Sequence, residues 1–206
     1  MATPLEKARK DPDSMKARIL KVARRVFGEY GYHGATTRMI AEEAGIDIST
    51  LYYHWGEKSD LYQGVVQDVF DDLRHRLQEV ERVIHGRPFA DRMEIAIDMT
   101  TDYLFENPEI SNLVLLRYFG KTRDESILDI YVPDFISDIA YSMGLCKNKK
   151  VVPKGVSLQI LAMINSIHNF ISGEGFFRSM LTMEREEYVS RVKETLKFIL
   201  IPAFNT

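Results

Sequence analysis

The chain has 206 residues, of which 45% are apolar, enough for one sizeable hydrophobic core or two small ones and too many for a disordered chain. A single cysteine, Cys146, excludes an intrachain disulfide and a cysteine-based zinc cage, and no apolar run approaches the roughly 20 residues that cross a bilayer. The net charge of −3 divides into +1 for residues 1–60 (ten Lys/Arg, nine Asp/Glu) and −4 for the remainder (seventeen and twenty-one), which excludes a broad positive field.

The N-terminal residues predict a tail followed by a helix. Residues 1–13 are polar and contain Pro4 and Pro12, so we expect a flexible tail. The charged start is not typical of a signal peptide, and we expect a cytoplasmic protein. From Ser14 a three- and four-residue repeat of apolar side chains predicts a helix that Gly31 and Gly34 close. The apolar set is Ile19, Val22, Ala23, Val26, Phe27 and Tyr30.

The next stretch predicts two short helices joined by a tight corner. Thr36 is a good N-cap for a helix over residues 38–44. Gly45 ends that helix, because a glycine just past a helix adopts the left-handed conformation at little cost. Asp47 can then cap a second helix over residues 48–54. Together with the helix before them, these two complete a three-helix head over residues 14–57.

The packing of the two short helices is that of a helix-turn-helix. Ala41 is small enough to let the helices cross closely, and Leu51 anchors the second helix on its buried side. The run TLYYHWGEKSDLY resembles the TetR (tetracycline-repressor-like) family, in which a Thr-Leu-Tyr-x-His-aromatic sequence forms the recognition helix and a lysine opens the next helix. The resemblance implies an all-α, DNA-binding transcriptional regulator, a repressor rather than an activator, with its motif at about residues 37–56.

The resemblance also implies which residues contact double-stranded DNA, and their chemistry agrees. Hydroxyl, guanidinium, imidazole and ammonium groups can bind phosphate oxygens, and polar or aromatic tips on the outer face of a recognition helix can reach base edges. The expected phosphate contacts are Thr37, Arg38, Tyr52, His54 and Lys58. The expected base contacts are Ser49, Thr50 and Tyr53. Ile48, where family members often carry a polar base-reading residue, can touch only a thymine methyl.

Two alternatives concern this N-terminal part. The residues of the two short helices can instead be the surface of a helical hairpin that packs against something other than DNA. The tail, through Lys7, Arg9 and Lys10, can be an arm that enters a minor groove, although three nearby carboxylates offset its charge.

A long helix over residues 58–85 is expected to connect the head to the rest of the chain. Gly86 and Pro88 stop it. Its inner side carries Leu61, Val65, Val69, Leu73, Leu77, Val80 and Ile84. Asp72 and His75 lie one turn apart but lack a third ligand, so we expect a solvated pair and no metal site.

Residues 86–206 predict further helices and no strand, giving about nine helices in the whole chain. The expected helices cover 89–106, 108–119, 124–144 with an interruption at Pro133, 153–180, and 184–203 with Thr182 as its cap and an end near Pro202. The basic loop over residues 147–155 is expected to be mobile. This part is the expected effector-binding and dimerisation domain.

The resemblance implies an apolar effector cavity in that domain, which a few polar groups line. The candidate lining residues are Tyr103, Tyr118, Phe119, Phe135, Asn165 and His168. His168 stands within an apolar stripe, and two interpretations stay open: a core histidine satisfied by a neighbouring carbonyl, or a cavity residue that bonds a ligand. The implied effector is a small hydrophobic molecule, aromatic or acyl-chain-like. A body without a pocket, acting constitutively, is an alternative.

The resemblance further implies a homodimer. One small head makes too few contacts for operator specificity, whereas two heads read the two half-sites of a palindromic operator. The last helix and the helix over 153–180 are expected to meet their copies in a four-helix interface. The expected stripe on the last helix is Val189, Val192, Leu196, Ile199 and Ala203.

Motifs of catalysis do not occur in the sequence. It contains no glycine-rich phosphate loop, no nucleophile elbow and no HExxH pattern. We therefore expect neither an enzyme nor a cofactor. The competing hypothesis is a helical small-molecule-binding or enzymatic protein whose N-terminal hairpin is only structural.

Overall fold

A computed structural model describes residues 2–119 and 128–204. These residues form eleven α-helices and no strand, so the prediction of an all-α fold is confirmed. None of the described helices is long and apolar enough to span a bilayer. The helices are α1 Pro4–Lys10, α2 Met15–Gly34, α3 Thr37–Ala44, α4 Ile48–Trp55, α5 Lys58–Ile84, α6 Phe89–Glu106, α7 Pro108–Phe119, α8 Leu128–Ser142, α9 Lys154–Ser172, α10 Glu174–Leu181 and α11 Arg185–Ala203.

The chain divides into two compact units. The first comprises Met1–Asp72 and Asn112–Lys121, and the second comprises Leu73–Ser111 and Thr122–Thr206. The expected connecting helix corresponds to α5, which belongs to the first unit up to Asp72 and to the second from there on.

The chain begins with a helix where the sequence predicted a flexible tail. Thr3 and Glu6 form a reciprocal capping box at the start of α1, and Pro4 occupies the first helical position, where a missing N–H is no loss. Leu5 and Ala8 are buried. The prediction was wrong because a proline at the first turn starts a helix instead of breaking it. Residues 4–10 are therefore not a free arm.

Ion pairs fix α1 and α2 to the first part of α5. Arg9 pairs with Asp68 and with Asp71, each at 2.8 Å, and Arg24 pairs with Asp68 and Asp72. Asp68 is buried, so its charge requires these partners. The pKa of the Arg24 guanidinium is raised, because these carboxylates outweigh the opposing effect of its burial.

The caps predicted for the helix-turn-helix are confirmed. The hydroxyl of Thr36 accepts from the backbone N–H of Met39, and the carboxylate of Asp47 accepts from that of Thr50 at 2.7 Å. Gly45 adopts φ +63° at the end of α3, as the sequence predicted. The core beneath these helices includes fully buried apolar residues of all three head helices: Ile19, Ala23, Phe27, Ile40 and Leu51.

In the second unit, α6, α9 and α11 pack around a core of Ile97, Leu104, Ile110, Ile160, Ile171 and Leu196. The helix α6 has the predicted bounds. The predicted helix over 153–180 is two helices, α9 and α10, which meet at Gly173. A β-carbon at residue 173 would clash with the ring of Phe177, so glycine lets that ring pack closely against the bend.

Three further predictions for the second unit were wrong. Thr182 does not cap the last helix, because it ends α10 in the left-handed conformation with φ 55°, and Glu184 precedes α11 instead. Pro133 does not interrupt α8, since one proline removes a single backbone hydrogen bond and the helix continues through it. The basic loop ends earlier than predicted, because Lys154 already begins α9. Lys149 in this loop donates to Asp138 at 2.7 Å, and the mobility of the loop stays a prediction. Residues 124–127 lie outside the described residues.

The stripe predicted for dimerisation is core within one chain only in part, because its Ile199 and Ala203 are exposed. Val192 and Leu196 are buried in the second unit, where α11 packs on α6 and α9. The neighbouring face of α11 is the exposed one, and its Phe198 is 81% exposed. Both faces are apolar, so the periodicity of the sequence could not decide which of them packs inward.

Candidate nucleic-acid interface

The helix α4 has one buried face and one face open to solvent. Leu51 and Trp55 are buried, whereas Tyr53 is 84% exposed and Tyr52 is 41% exposed. Ser49 is also exposed, and Thr50 is half-buried. The residues predicted to reach bases therefore do not face the interior of the protein.

The three residues predicted to contact bases differ in which hydrogen-bonding groups of their side chains remain available to DNA. The hydroxyl of Thr50 donates to Asp47 at 3.0 Å, while its backbone N–H donates to the same carboxylate. These bonds lower the pKa of Asp47, the backbone N–H of Thr50 having the largest effect. Thr50 keeps only acceptor capacity toward a base, whereas Ser49 and Tyr53 make no side-chain hydrogen bond within the described residues.

The start of α3 presents the predicted phosphate-binding groups. Thr37 and Arg38 are the first two helical residues, so their backbone N–H groups have no partner within the helix. Arg38 is exposed and Thr37 is half-buried. Hydrogen-bond donors and the positive end of the helix dipole thus coincide at one place, which favours an anion.

The helix α2 holds the last turn of α4 by bonds that the sequence did not predict. Lys16 donates from Nζ to the backbone oxygen of His54 at 2.8 Å and lies 3.2 Å from its Nδ1. The indole N–H of Trp55 donates back to the carbonyl of Lys16 at 3.1 Å. Burial, and then the charge of Lys16, lower the pKa of His54. From the sequence alone, Lys16 looks like another solvent-exposed basic residue of α2, because its hydrogen-bond partner His54 is 38 positions away.

The corner of the helix-turn-helix is closed by another residue of α2. Arg18 donates from its guanidinium to the carbonyls of Ala44 and Gly45, where α3 ends. These are carbonyls that a helix leaves without intrahelical partners. The helical periodicity of α2 predicts that Arg18 faces outward. No nearby sequence pattern indicates that it bonds the carbonyls of Ala44 and Gly45.

Lys58 lies against an aromatic ring at the start of α5. Its Nζ is 4.6 Å from the ring centre of Tyr32, and burial lowers the pKa of Lys58. A cation over a ring is stabilised by the ring quadrupole. Lys58 is half-buried, so the ammonium is held near the end of α4 and does not extend freely into solvent.

Among the described residues predicted to line a cavity, His168 is the one that is buried. It is 5% exposed, and its Nδ1 is 2.9 Å from the hydroxyl oxygen of Ser111, which is fully buried. Burial lowers the pKa of His168 to about 4. The partner is a hydroxyl and not the carbonyl that the sequence suggested.

The other residues predicted to line the cavity do not lie together at one site among the described residues. Asn165 is exposed on α9, so it does not share the buried setting of His168. Tyr103 is half-buried, with the guanidinium of Arg76 5.3 Å from its ring centre, and Phe135 is half-buried on α8. The side chains of Tyr118 and Phe119 lie outside the described residues.

Besides Ser111, sequence reasoning missed a second buried polar residue of the second unit. Thr101 on α6 is fully buried, and its hydroxyl has no hydrogen-bond partner among the described residues. Such a group inside an apolar core is costly unless something satisfies it. In the sequence, a lone threonine within an amphipathic helix carries no such signal.

Asp72 and His75, considered from their spacing as a metal-binding pair, each contact another charged residue instead. Asp72 pairs with Arg24 in the first unit, and His75 lies 3.4 Å from Glu79 in the second. Within the described ranges, no three His, Cys, Asp or Glu side chains gather in a group that could hold a metal ion.

Comparisons with known proteins agree with this geometry. Residues 19–65 match the model of a family described as bacterial regulatory proteins, tetR family. A curated relative, an HTH-type transcriptional regulator of Staphylococcus aureus (strain USA300), is 27% identical over 135 residues, 63% of this chain and 72% of the relative. The matched family segment runs from α2 into α5 and contains every predicted DNA contact.

Solved structures extend the similarity of fold to most of the chain. A transcriptional regulator of the TerR/AcrR family from Aquifex aeolicus VF5 has a TM-score of 0.63 at 17% identity, covering 92% of this chain and 99% of that chain. The fatty acid degradation regulator from Bacillus halodurans has a TM-score of 0.57 at 14% identity, covering 88% and 97%. At these identities the similarity concerns the fold alone.

Proposed function

We propose that this chain is a DNA-binding transcriptional regulator of the TetR family of bacterial regulatory proteins, and that it acts as a homodimeric repressor released from a palindromic operator by a small hydrophobic effector. One observation carries the DNA-binding part of the proposal. The helix α4 buries Leu51 and Trp55 and exposes Ser49, Tyr52 and Tyr53, which is the arrangement a recognition helix requires.

On DNA, α4 lies in the major groove and its outer face reads base edges. Ser49 and Tyr53 supply hydroxyl donors, while Thr50, whose proton is used in the cap, accepts from an adenine or cytosine amine. Thr37 and Arg38 hold one phosphate at the start of α3. The remaining phosphate contacts come from Tyr52, His54 and Lys58.

The proposed dimer forms through the exposed faces of α9 and α11, which pack on each other in the second unit. On α9 the exposed stripe is Leu158, Ala162, Asn165 and Asn169. On α11 it is Thr195, Phe198, Ile199 and Pro202. Exposed apolar side chains at helical spacing are typical of a surface that a second copy covers, and a two-fold dimer places two heads at two half-sites.

The buried polar side chains of the second unit support an effector site. Thr101, Ser111 and His168 lie in an otherwise apolar core, and the hydroxyl of Thr101 lacks a partner among the described residues. An apolar ligand with one polar group suits such a setting. The effector then favours a conformation, transmitted through α5, in which the heads no longer match the operator spacing. Tenfold release requires the effector to prefer that state by about 1.4 kcal/mol.

Gel-shift titration against the DNA that flanks the gene tests the DNA-binding part. The wild-type protein binds, and the affinity falls steeply as salt rises, because phosphate contacts release counterions. The double variant Tyr52→Ala/Lys58→Ala is expected to lose at least about tenfold in affinity, since it removes two contacts.

The matched control is Tyr141→Ala/Lys147→Ala, which removes the same residue types from exposed positions of the second unit. It should retain wild-type affinity. Equal binding by both double variants, or no binding by the wild type, contradicts the proposed interface and favours a helical protein whose N-terminal hairpin is only structural.

The effector part has its own measurement. Fluorescence of 1-anilinonaphthalene-8-sulfonate reports an accessible apolar site, and oleate is the competing acyl-chain probe. Displacement of the dye by oleate, together with release of the DNA, supports a sensor. If neither probe binds, the second unit has no effector pocket and serves only in dimerisation, so that the regulator acts constitutively.

A further inference from the structure

Two reciprocal hydrogen bonds hold the C-terminal end of the proposed recognition helix, α4, against α2. Lys16 donates to the carbonyl oxygen of His54, and the neighbouring Trp55 donates to the carbonyl oxygen of Lys16. Trp55 is buried, so this end of α4 has a fixed place on α2. The same ammonium that holds the backbone of His54 also lies 3.2 Å from Nδ1 of its ring.

This contact determines which ring nitrogen carries the proton. An ammonium group has donors and no acceptor, so Nδ1 of His54 must accept from it. A neutral imidazole with Nδ1 as acceptor carries its proton on Nε2. Protonating Nδ1 as well would place an N–H against the ammonium of Lys16, which is unfavourable both in charge and in hydrogen bonding.

We propose that Lys16 is a positioning residue that keeps His54 in the neutral Nε2–H form, so that His54 offers a DNA phosphate an uncharged hydrogen-bond donor. The inference rests on the proposed DNA binding and assigns a role to a residue outside the segment that the family model matches. A phosphate contact by histidine normally favours the imidazolium and strengthens binding as pH falls. Lys16 removes that coupling, so that operator affinity is steady over the physiological pH range.

The surroundings of His54 are consistent with this role. The charged group acting on its ring from α2 is Lys16, and the ring of Tyr53 lies edge-on with its centre 5.1 Å away. Lys7 on α1 acts in turn on Lys16, whose pKa is lowered by burial and then by that charge. No carboxylate among the described residues contributes to the pKa of His54.

The first test is made on the free protein and needs no DNA. Nitrogen chemical shifts of the His54 imidazole in a ¹⁵N-labelled sample distinguish a protonated ring nitrogen from an accepting one. At pH 7 we expect Nε2 protonated and Nδ1 accepting. A ring that carries its proton on Nδ1 overturns the inference whatever the protein does with DNA.

The second test is the pH profile of operator affinity between pH 5.5 and 7.5. For the wild type we expect less than a twofold change attributable to His54. In Lys16→Met, Nδ1 is free to take a proton, so affinity is lower at pH 7.5 and then rises on acidification by up to about tenfold per pH unit for each head. Lys16→Arg keeps a donor toward the ring and should restore the flat profile.

Two controls separate positioning from folding. Lys21→Met removes an exposed lysine of the same helix and should leave both the affinity and its pH profile unchanged. Adding His54→Gln to Lys16→Met should abolish the new pH dependence, because the titrating group is gone. Thermal unfolding of each variant shows whether α2 and α4 still fold.

The outcomes are distinct from those of the proposed function. If Lys16→Met weakens binding equally at every pH, Lys16 is only a structural anchor and the inference is wrong. If wild-type binding tightens on acidification through His54, the histidine binds as an imidazolium and the inference is again wrong. If the wild type binds no operator, the proposed function fails and the role toward a phosphate fails with it, while the ring nitrogens of the free protein still decide the role of Lys16.

Discussion

His54 and His168 both have a pKa below the ordinary value of a histidine, but the physical setting differs. His54 is half-buried and faces the ammonium of Lys16, whereas His168 is enclosed in the core of the second unit beside Ser111. The first histidine lies at the surface, where its protonation bears on the proposed contact with DNA. The second is buried, so its protonation bears on the stability of the fold.

At the residue scale, stability should therefore fall in acid because of His168. Its pKa is about 4 in the folded protein and about 6.5 when unfolded, so the unfolded state binds the proton more readily and folding stability is lost as pH falls from about 6.5 toward 4. Between pH 7.5 and pH 5 the loss is about 2 kcal/mol. Urea unfolding at the two pH values measures it.

The comparison variant is His168→Gln, which removes the titrating ring and should lose less stability over this interval than the wild type. His85→Gln, at an exposed position, should keep the wild-type difference. An equal loss in the wild type and in His168→Gln would mean that His168 is not the group responsible.

At the scale of elements, the helix α1 illustrates how a short helix depends on its ends. Seven residues are too few for a stable isolated helix, so α1 relies on its capping box, on burial of Leu5 and Ala8, and on the pairs that Arg9 makes with α5. The prolines that suggested a disordered tail stand at the helix start and beyond its end, where both are compatible with it.

Thr3→Ala should loosen α1 specifically. Loss of an N-cap costs about 1 kcal/mol, which corresponds to roughly a fivefold faster hydrogen exchange of the α1 amides. Thr3→Ser keeps the hydroxyl and should exchange like the wild type. Unchanged exchange in Thr3→Ala would show that the docking of α1 does not depend on its cap.

At the scale of the whole molecule, the second unit leaves an apolar face uncovered in a single chain. Phe198 and Leu158 are largely exposed, although each lies on a helix whose opposite face is packed. The hydrophobic effect favours covering such a face, and a second copy supplies a surface of matching character.

Phe198→Glu is expected to weaken the dimer by at least about thirtyfold, since it places a charge where a central apolar contact is proposed. The monomer should still fold, because the side chain is solvent-exposed in the single chain. Sedimentation equilibrium measures the change, and Val151→Glu, an exposed position outside the proposed face, is the control. A variant that remains as dimeric as the wild type would exclude this face as the interface.

Much of the fold could be predicted from the sequence, because helix caps and turns depend on residues only a few positions apart. The caps at Thr36 and Asp47 bond to residues three positions away, and the turn at Gly45 depends on the conformation of a single residue. The helical period also predicted which positions of α4 are buried and which are exposed, whereas its role as a recognition helix rested on the resemblance of its sequence to the TetR family.

The rest was decided by tertiary structure, since it depends on residues far apart in the chain. Lys16 meets His54 across 38 positions, Ser111 meets His168 across 57, and Arg9 meets Asp68 across 59. Where α11 has two apolar faces, periodicity cannot select the one that packs inward. The sequence by itself determined most of the helices, because caps and turns that bond within one helical turn specify them, and its resemblance to the TetR family indicated the type of DNA-reading motif. Which charges pair, which polar groups are buried and which apolar face is left exposed follow only from the packing of whole helices.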